Sequence, residues 1–130
     1  MPISYLIDTE RGLVLTTASG VLTDDDLLEH KRILAADPDF APGMRQLSDV
    51  RGVERLAVTP EGVRQMVTLD RDQADQLGDY KLAIVTTADV VFGTARMYQS
   101  LTDEDLEHVQ VFRDMAEARV WLGLPSDDTA

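Results

Sequence analysis

The sequence predicts an α/β domain: a mixed, mostly parallel five-stranded sheet, opened by an antiparallel hairpin and packed against four helices. Three observations carry this reading. Residues 3–8, with Ile3, Tyr5 and Ile7 alternating with polar neighbours, and Leu13 to Ala18 read as strands, separated only by the turn-rich Asp8-Thr9-Glu10-Arg11-Gly12. Beyond this hairpin, amphipathic stretches of helical period alternate with short strand-like runs, the order expected of strands joined by crossover helices. Helix start signals stand at the changes of period.

The elements follow in order. Thr23 is a good N-cap, and Asp24-Asp25-Asp26 places acid in a first helical turn, where the helix dipole favours it. Leu27, Leu28, Lys31, Leu34 and Ala35 then recur at helical spacing until Pro38 ends the helix. Arg45 to Val50 reads as a short strand ending near Asp49. Thr59-Pro60-Glu61 starts a second helix, with Val63, Met66, Val67, Ala74 and Leu77 as its apolar stripe and Gly78 as its stop. Tyr80 to Thr86 has the continuous apolar centre of a strand covered on both faces. A third helix spans about Asp89 to Leu101, Val109 to Phe112 is the last strand, and Asp114 caps a fourth helix that Gly123 closes. One domain over residues 1–123 is expected, followed by a flexible acidic tail, 124–130.

Composition narrows the function classes. Twelve Lys and Arg against 24 Asp and Glu give a net charge of −12, which argues against nucleic-acid binding and against docking on anionic lipid. There is no cysteine, so disulfides, thiolate metal sites and a cysteine nucleophile are excluded. His30 and His108 stand far apart, without zinc-ligand spacing. Gly-rich phosphate loops and the GxSxG nucleophile turn are missing too. Neither a signal-peptide pattern nor a membrane-length apolar run is evident, and a cytoplasmic location is the expectation. No cofactor, metal or catalytic residue is expected.

Several local words occur in a telling order: Gly20-Val21-Leu22-Thr23, Asp49-Val50-Arg51-Gly52-Val53, Phe92-Gly93-Thr94-Ala95-Arg96-Met97, then Val111-Phe112 with Trp121-Leu122. In these words and in element order the chain resembles the SpoIIAA-like branch of the STAS superfamily, over nearly the whole span from Ile3 to Gly123. The resemblance implies a regulatory module acting through protein–protein contact. STAS regulators carry a D-S-S-G-like turn whose serine is phosphorylated, whereas this chain has Thr59-Pro60-Glu61-Gly62 there, with Thr59 the one hydroxyl left and already suited to capping. The family's phosphorylation switch is therefore expected to be missing. The fold group also looks like the CRAL-TRIO lipid carriers in outline, which implies an apolar-ligand pocket as an alternative.

Some residues stand out from the pattern. Asp70 falls in the middle of the second helix's apolar stripe, where a carboxylate needs a partner or a raised pKa. The commoner outcome is that the helix turns or overhangs so that Asp70 reaches water; the other is a buried ion pair, with an arginine as its partner. Asp49, Arg51, Thr86, Thr87 and Asp89 fall at the carboxyl ends of strands, where open α/β sheets gather ligands, although caps and turns use the same residue types. In the third helix, with Val90, Met97 and Leu101 turned inward, Phe92, Arg96 and Gln99 face outward as a candidate interface.

Three functions remain. A non-catalytic binding or regulatory module, expected to be a homodimer with an unknown protein partner, comes first. A carrier or sensor of a small apolar, lipid-like molecule is the alternative, and would need a pocket of about 300 Å3 or more. An enzyme comes last, because no nucleophile–base pair is visible.

Overall fold

Side-chain alternation along the central strands sets the architecture. The computed structural model describes residues 2–102 and 108–125. Within them the strands are β1 (Ile3–Asp8), β2 (Leu13–Thr23), β3 (Arg45–Ala57), β4 (Leu82–Val85) and β5 (Val109–Phe112), hydrogen-bonded in the order β1-β2-β3-β4-β5. β1 and β2 pair antiparallel, from Ile3↔Ala18 to Asp8↔Leu13, and every later pairing is parallel. The helices are α1 (Asp24–Ala36), α2 (Pro60–Asp72), α3 (Ala74–Leu77), α4 (Asp89–Thr102) and α5 (Met115–Trp121). Among the described residues there are thus five helices rather than the four expected.

In β4, Ala83 and Val85 pack with Leu13, Leu47, Ala118 and Leu122 against α5. Their neighbours Leu82 and Ile84 point the other way, to a second core built from Leu28 of α1, Met66 and Val67 of α2, and Tyr98 of α4. The strand is covered on both faces, as its unbroken apolar run implied. The helices therefore do not form one layer: α5 lies alone on one face, and α1, α2 and α4 share the other.

The caps form where the sequence placed them. Thr23 and Asp26 make a reciprocal capping box at α1, and Asp114 accepts from the Ala116 N–H at α5. The predicted second helix is broken. It leaves helical geometry at Gln73 (φ −99°, ψ 17°), and the single turn α3 follows, with Leu77 buried and Ala74 exposed. Gly78 does stop it: φ is +66°, and a Cβ there would stand 2.7 Å from the Gly43 nitrogen and 2.8 Å from the Pro42 Cβ.

Two further expectations are corrected. β3 runs on to Ala57, because β2 also continues past Ala18 and pairs with it through two register shifts, as far as Thr23↔Ala57. Asp49 is thus within β3, level with the end of β4 through its pairing with Val85. The domain also extends past Gly123. Leu124 is 7% exposed and belongs to the α5 core, and the Pro125 carbonyl accepts from Arg119 Nε at 3.0 Å. The rest of the expected tail, 126–130, lies outside the described residues.

Candidate functional site

A cavity of about 140 Å3 lies between the sheet and the layer formed by α1, α2 and α4. Its walls are mostly apolar, including Leu27, Val50, Val63, Met66, Leu82 and Ile84. Strand alternation explains its floor. Thr16 of β2 pairs in register with Ser48 of β3, and Gln46 lies two residues earlier on the same face. All three line the cavity, and Thr16 is 7% exposed.

The helices contribute a charged cluster. Lys31 is in the apolar stripe of α1 as Asp70 is in that of α2, and the packing of those helices brings the two together. Lys31 Nζ lies 3.0 and 3.3 Å from the two Asp70 carboxylate oxygens and 3.0 Å from the Tyr98 hydroxyl. Tyr98 in turn donates to Asp70 Oδ2. Asp70 is 8% exposed and Lys31 18%. The carboxylate is therefore buried and paired, against the expectation that it reaches water, and its partner is a lysine rather than an arginine.

The electrostatics move the pKa values of the neighbouring groups away from neutral pH and hold these groups uncharged there. Burial, then the charge and hydrogen bond of Asp70, hold the Tyr98 hydroxyl well above its usual range. Burial also raises Tyr80. Burial and, second, the charge of Lys31 push His30 down to about 4. General acid–base catalysis works best with a pKa near the operating pH, and these three shifts lead away from it.

The other sequence candidates lie outside this cavity. Asp49 and Arg51 pair with each other through two hydrogen bonds of 2.9 Å, which lower the Asp49 carboxyl and raise the Arg51 guanidinium. Thr86 is buried, and its hydroxyl accepts from the Ala88 N–H at 3.4 Å. The Thr87 carbonyl accepts from Arg113 at 3.2 Å, and Asp89 pairs with Arg113 at 2.8 Å. Asp49–Arg51 and Thr86–Ala88 are local pairs, whereas Arg113 ties the end of β5 to the end of β4, and none of these residues lines the cavity. Thr59 donates its hydroxyl to Asp24 Oδ2 at 2.6 Å and accepts from the Gly62 N–H at 2.9 Å, while its own N–H reaches Asp24 Oδ1 at 2.8 Å.

α4 is rotated by about one residue from its expected setting. Val91, Ala95, Tyr98 and Gln99 are buried, whereas Val90 (71% exposed) and Leu101 (39%) face outward. Gln99 is therefore not an interface residue. Two stripes of equal period, offset by one position, compete in this helix, and the bonds of Tyr98 to Asp70 and Lys31 favour the buried one. Phe92 stays half-buried, with the Arg113 guanidinium 4.2 Å and that of Arg96 5.9 Å from its ring centre.

Sequence reasoning missed Lys31, Thr16, Gln46 and Ser48. The signal for Lys31 was its place in an apolar stripe. The signal for the others was hydrogen-bonding residues inside strands that are buried on both faces. Among the described residues no group of three or more His, Cys, Asp or Glu could hold a metal ion, and no helix is long and apolar enough to cross a membrane.

Comparison with known proteins agrees with the architecture. The chain is similar to the crystal structure of an uncharacterized protein of the DUF3478 family with a SpoIIAA-like fold, from Shewanella loihica PV-4. The TM-score is 0.60 and the identity 18%, over 92% of this chain and 93% of that one. No protein-family model and no curated protein matches the sequence. The chain has a SpoIIAA-like fold, as the order of its sequence words implied.

Proposed function

We propose that the protein is a non-catalytic binding module that takes up a small molecule between its sheet and the α1, α2 and α4 layer. The cavity carries this reading. Protein interiors pack to crystal-like density with few voids larger than a water molecule. Here apolar side chains from the sheet and from α1, α2 and α4 surround about 140 Å3 that they leave unfilled. The volume is near that of an engineered cavity that admits benzene and below the ~300 Å3 of a drug-sized site, which favours a small occupant over a lipid-like one.

The test is a titration of the 15N-labelled protein with benzene-sized probes, alongside native mass spectrometry of freshly purified material. Shifts centred on Thr16, Val63, Ile84 and Tyr98 are expected. Shifts scattered over the surface, or none, would remove the reading.

A second reading, protein–protein contact, draws on α4. Phe92 between two arginines and the 71%-exposed Val90 form an aromatic and cationic patch of the type found at interface anchors. If the patch joins two copies, Phe92→Ala shifts the sedimentation profile to monomer. An unchanged profile removes that role.

A further inference from the structure

The polar groups of the cavity form two sets with different chemistry. The charged set is closed on itself. Lys31 is held by both Asp70 oxygens and by Tyr98, and Asp70 is held by Lys31 and Tyr98. An anion entering here would meet a cation already in contact with a carboxylate, and a cation would meet the converse. The second set is uncharged and open. Thr16, Gln46 and Ser48 line the floor without a side-chain hydrogen bond to any described residue, and on the helix side the His30 ring is likewise unbonded. Together they offer hydroxyl, amide and imidazole groups that can both donate and accept.

The approach to the cavity points the same way. A surface depression of about 220 Å3 between β1 and α1 is lined by Ser4, Tyr5, Asp26 and Glu29, and it shares Ile3 and His30 with the inner cavity. Anions would pass two carboxylates there, on a chain of net charge −12.

We infer that the ligand is an uncharged molecule of about benzene size, carrying one hydroxyl or carbonyl group. Its polar group lies on the Thr16–Ser48 floor, its apolar body lies against Val63, Met66 and Ile84, and it enters between β1 and α1 past Ile3 and His30. This inference rests on the cavity reading given above and adds the ligand's chemical class.

The experiment compares phenol, toluene and benzoate as probes of the full chain by NMR titration. Phenol is expected to bind at least tenfold more tightly than either of the others, with its largest shifts at Thr16 and Ser48. The isosteric pair Thr16→Val and Ser48→Ala should bring phenol to within about twofold of toluene, the general expectation when a site loses the groups that hydrogen-bond its ligand. Toluene binding in the same variant reports that it has folded, and Ser48→Ala alone, with a partial loss of preference, serves if it has not. Toluene or benzoate binding as well as phenol would overturn the assigned class while leaving the cavity reading intact. Failure of all three to bind would overturn both.

Discussion

Replacing Lys31 with methionine would leave the Asp70 carboxylate inside the helix layer with only Tyr98 as its partner. Removing one member of a buried ion pair typically costs about 3–5 kcal/mol, because the other charge stays desolvated and uncompensated. The two members of this pair are not equally trapped. Asp70 is on a short side chain at 8% exposure, whereas Lys31 is 18% exposed on a flexible stem that can carry its ammonium toward water. Lys31→Met is therefore expected to cost about 3 kcal/mol and Asp70→Leu nearer 2 kcal/mol. The joint replacement should cost less than Lys31→Met alone, a coupling of about 2–3 kcal/mol. Urea unfolding reads this directly: at a slope of about 2 kcal/mol per M, Lys31→Met lowers the midpoint by about 1.5 M. Single effects that simply add, or a larger loss for Asp70→Leu than for Lys31→Met, would refute the reasoning.

The remaining predictions concern His30 and Gly62. His30 has its pKa depressed from 6.5 to about 4 by burial and by Lys31, so between those values the unfolded chain binds a proton that the folded chain does not. Stability should then fall as pH drops from 6.5 toward 4, by about 2–3 kcal/mol in all. His30→Gln should flatten that slope in urea titrations across this window, and an unchanged slope would show that His30 is not its source. A Cβ at Gly62 would collide with the Asp24 carboxylate. Gly62→Ala should therefore displace Asp24 from Thr59 and lower stability by about 1–3 kcal/mol, despite alanine's better helix propensity. A thermal melt at or above that of the parent protein would show that Asp24 moves aside without loss.

Much of this fold was legible because its signals are local. The turn between Asp8 and Gly12, the hydroxyl caps Thr23 and Thr59, Pro60 at a helix start, Gly78 and the alternating runs each act within a few residues of themselves. They gave the element order and the hairpin. The site was less legible. Asp70 was conspicuous as a carboxylate in an apolar stripe, but its partner is 39 positions away in sequence, and only the packing of α1 on α2 makes Lys31 that partner. The strand-end candidates Asp49, Arg51, Thr87 and Asp89 had the right residue types, yet Asp49 and Arg51 pair with each other, and Thr87 and Asp89 are engaged by Arg113.

The sequence alone determined the order of the main helices and strands, the mixed sheet and the absence of thiol chemistry, since these follow from period, caps and composition. Tertiary structure decided which face of α4 is buried, which helix takes the far side of the sheet, and where a cavity opens. Those outcomes depend on how helices pack across distances that local patterns do not encode. Two stripes of equal period in α4 differ only in whether Tyr98 can reach Asp70 and Lys31, and that choice exists only once α1, α2 and α4 have come together.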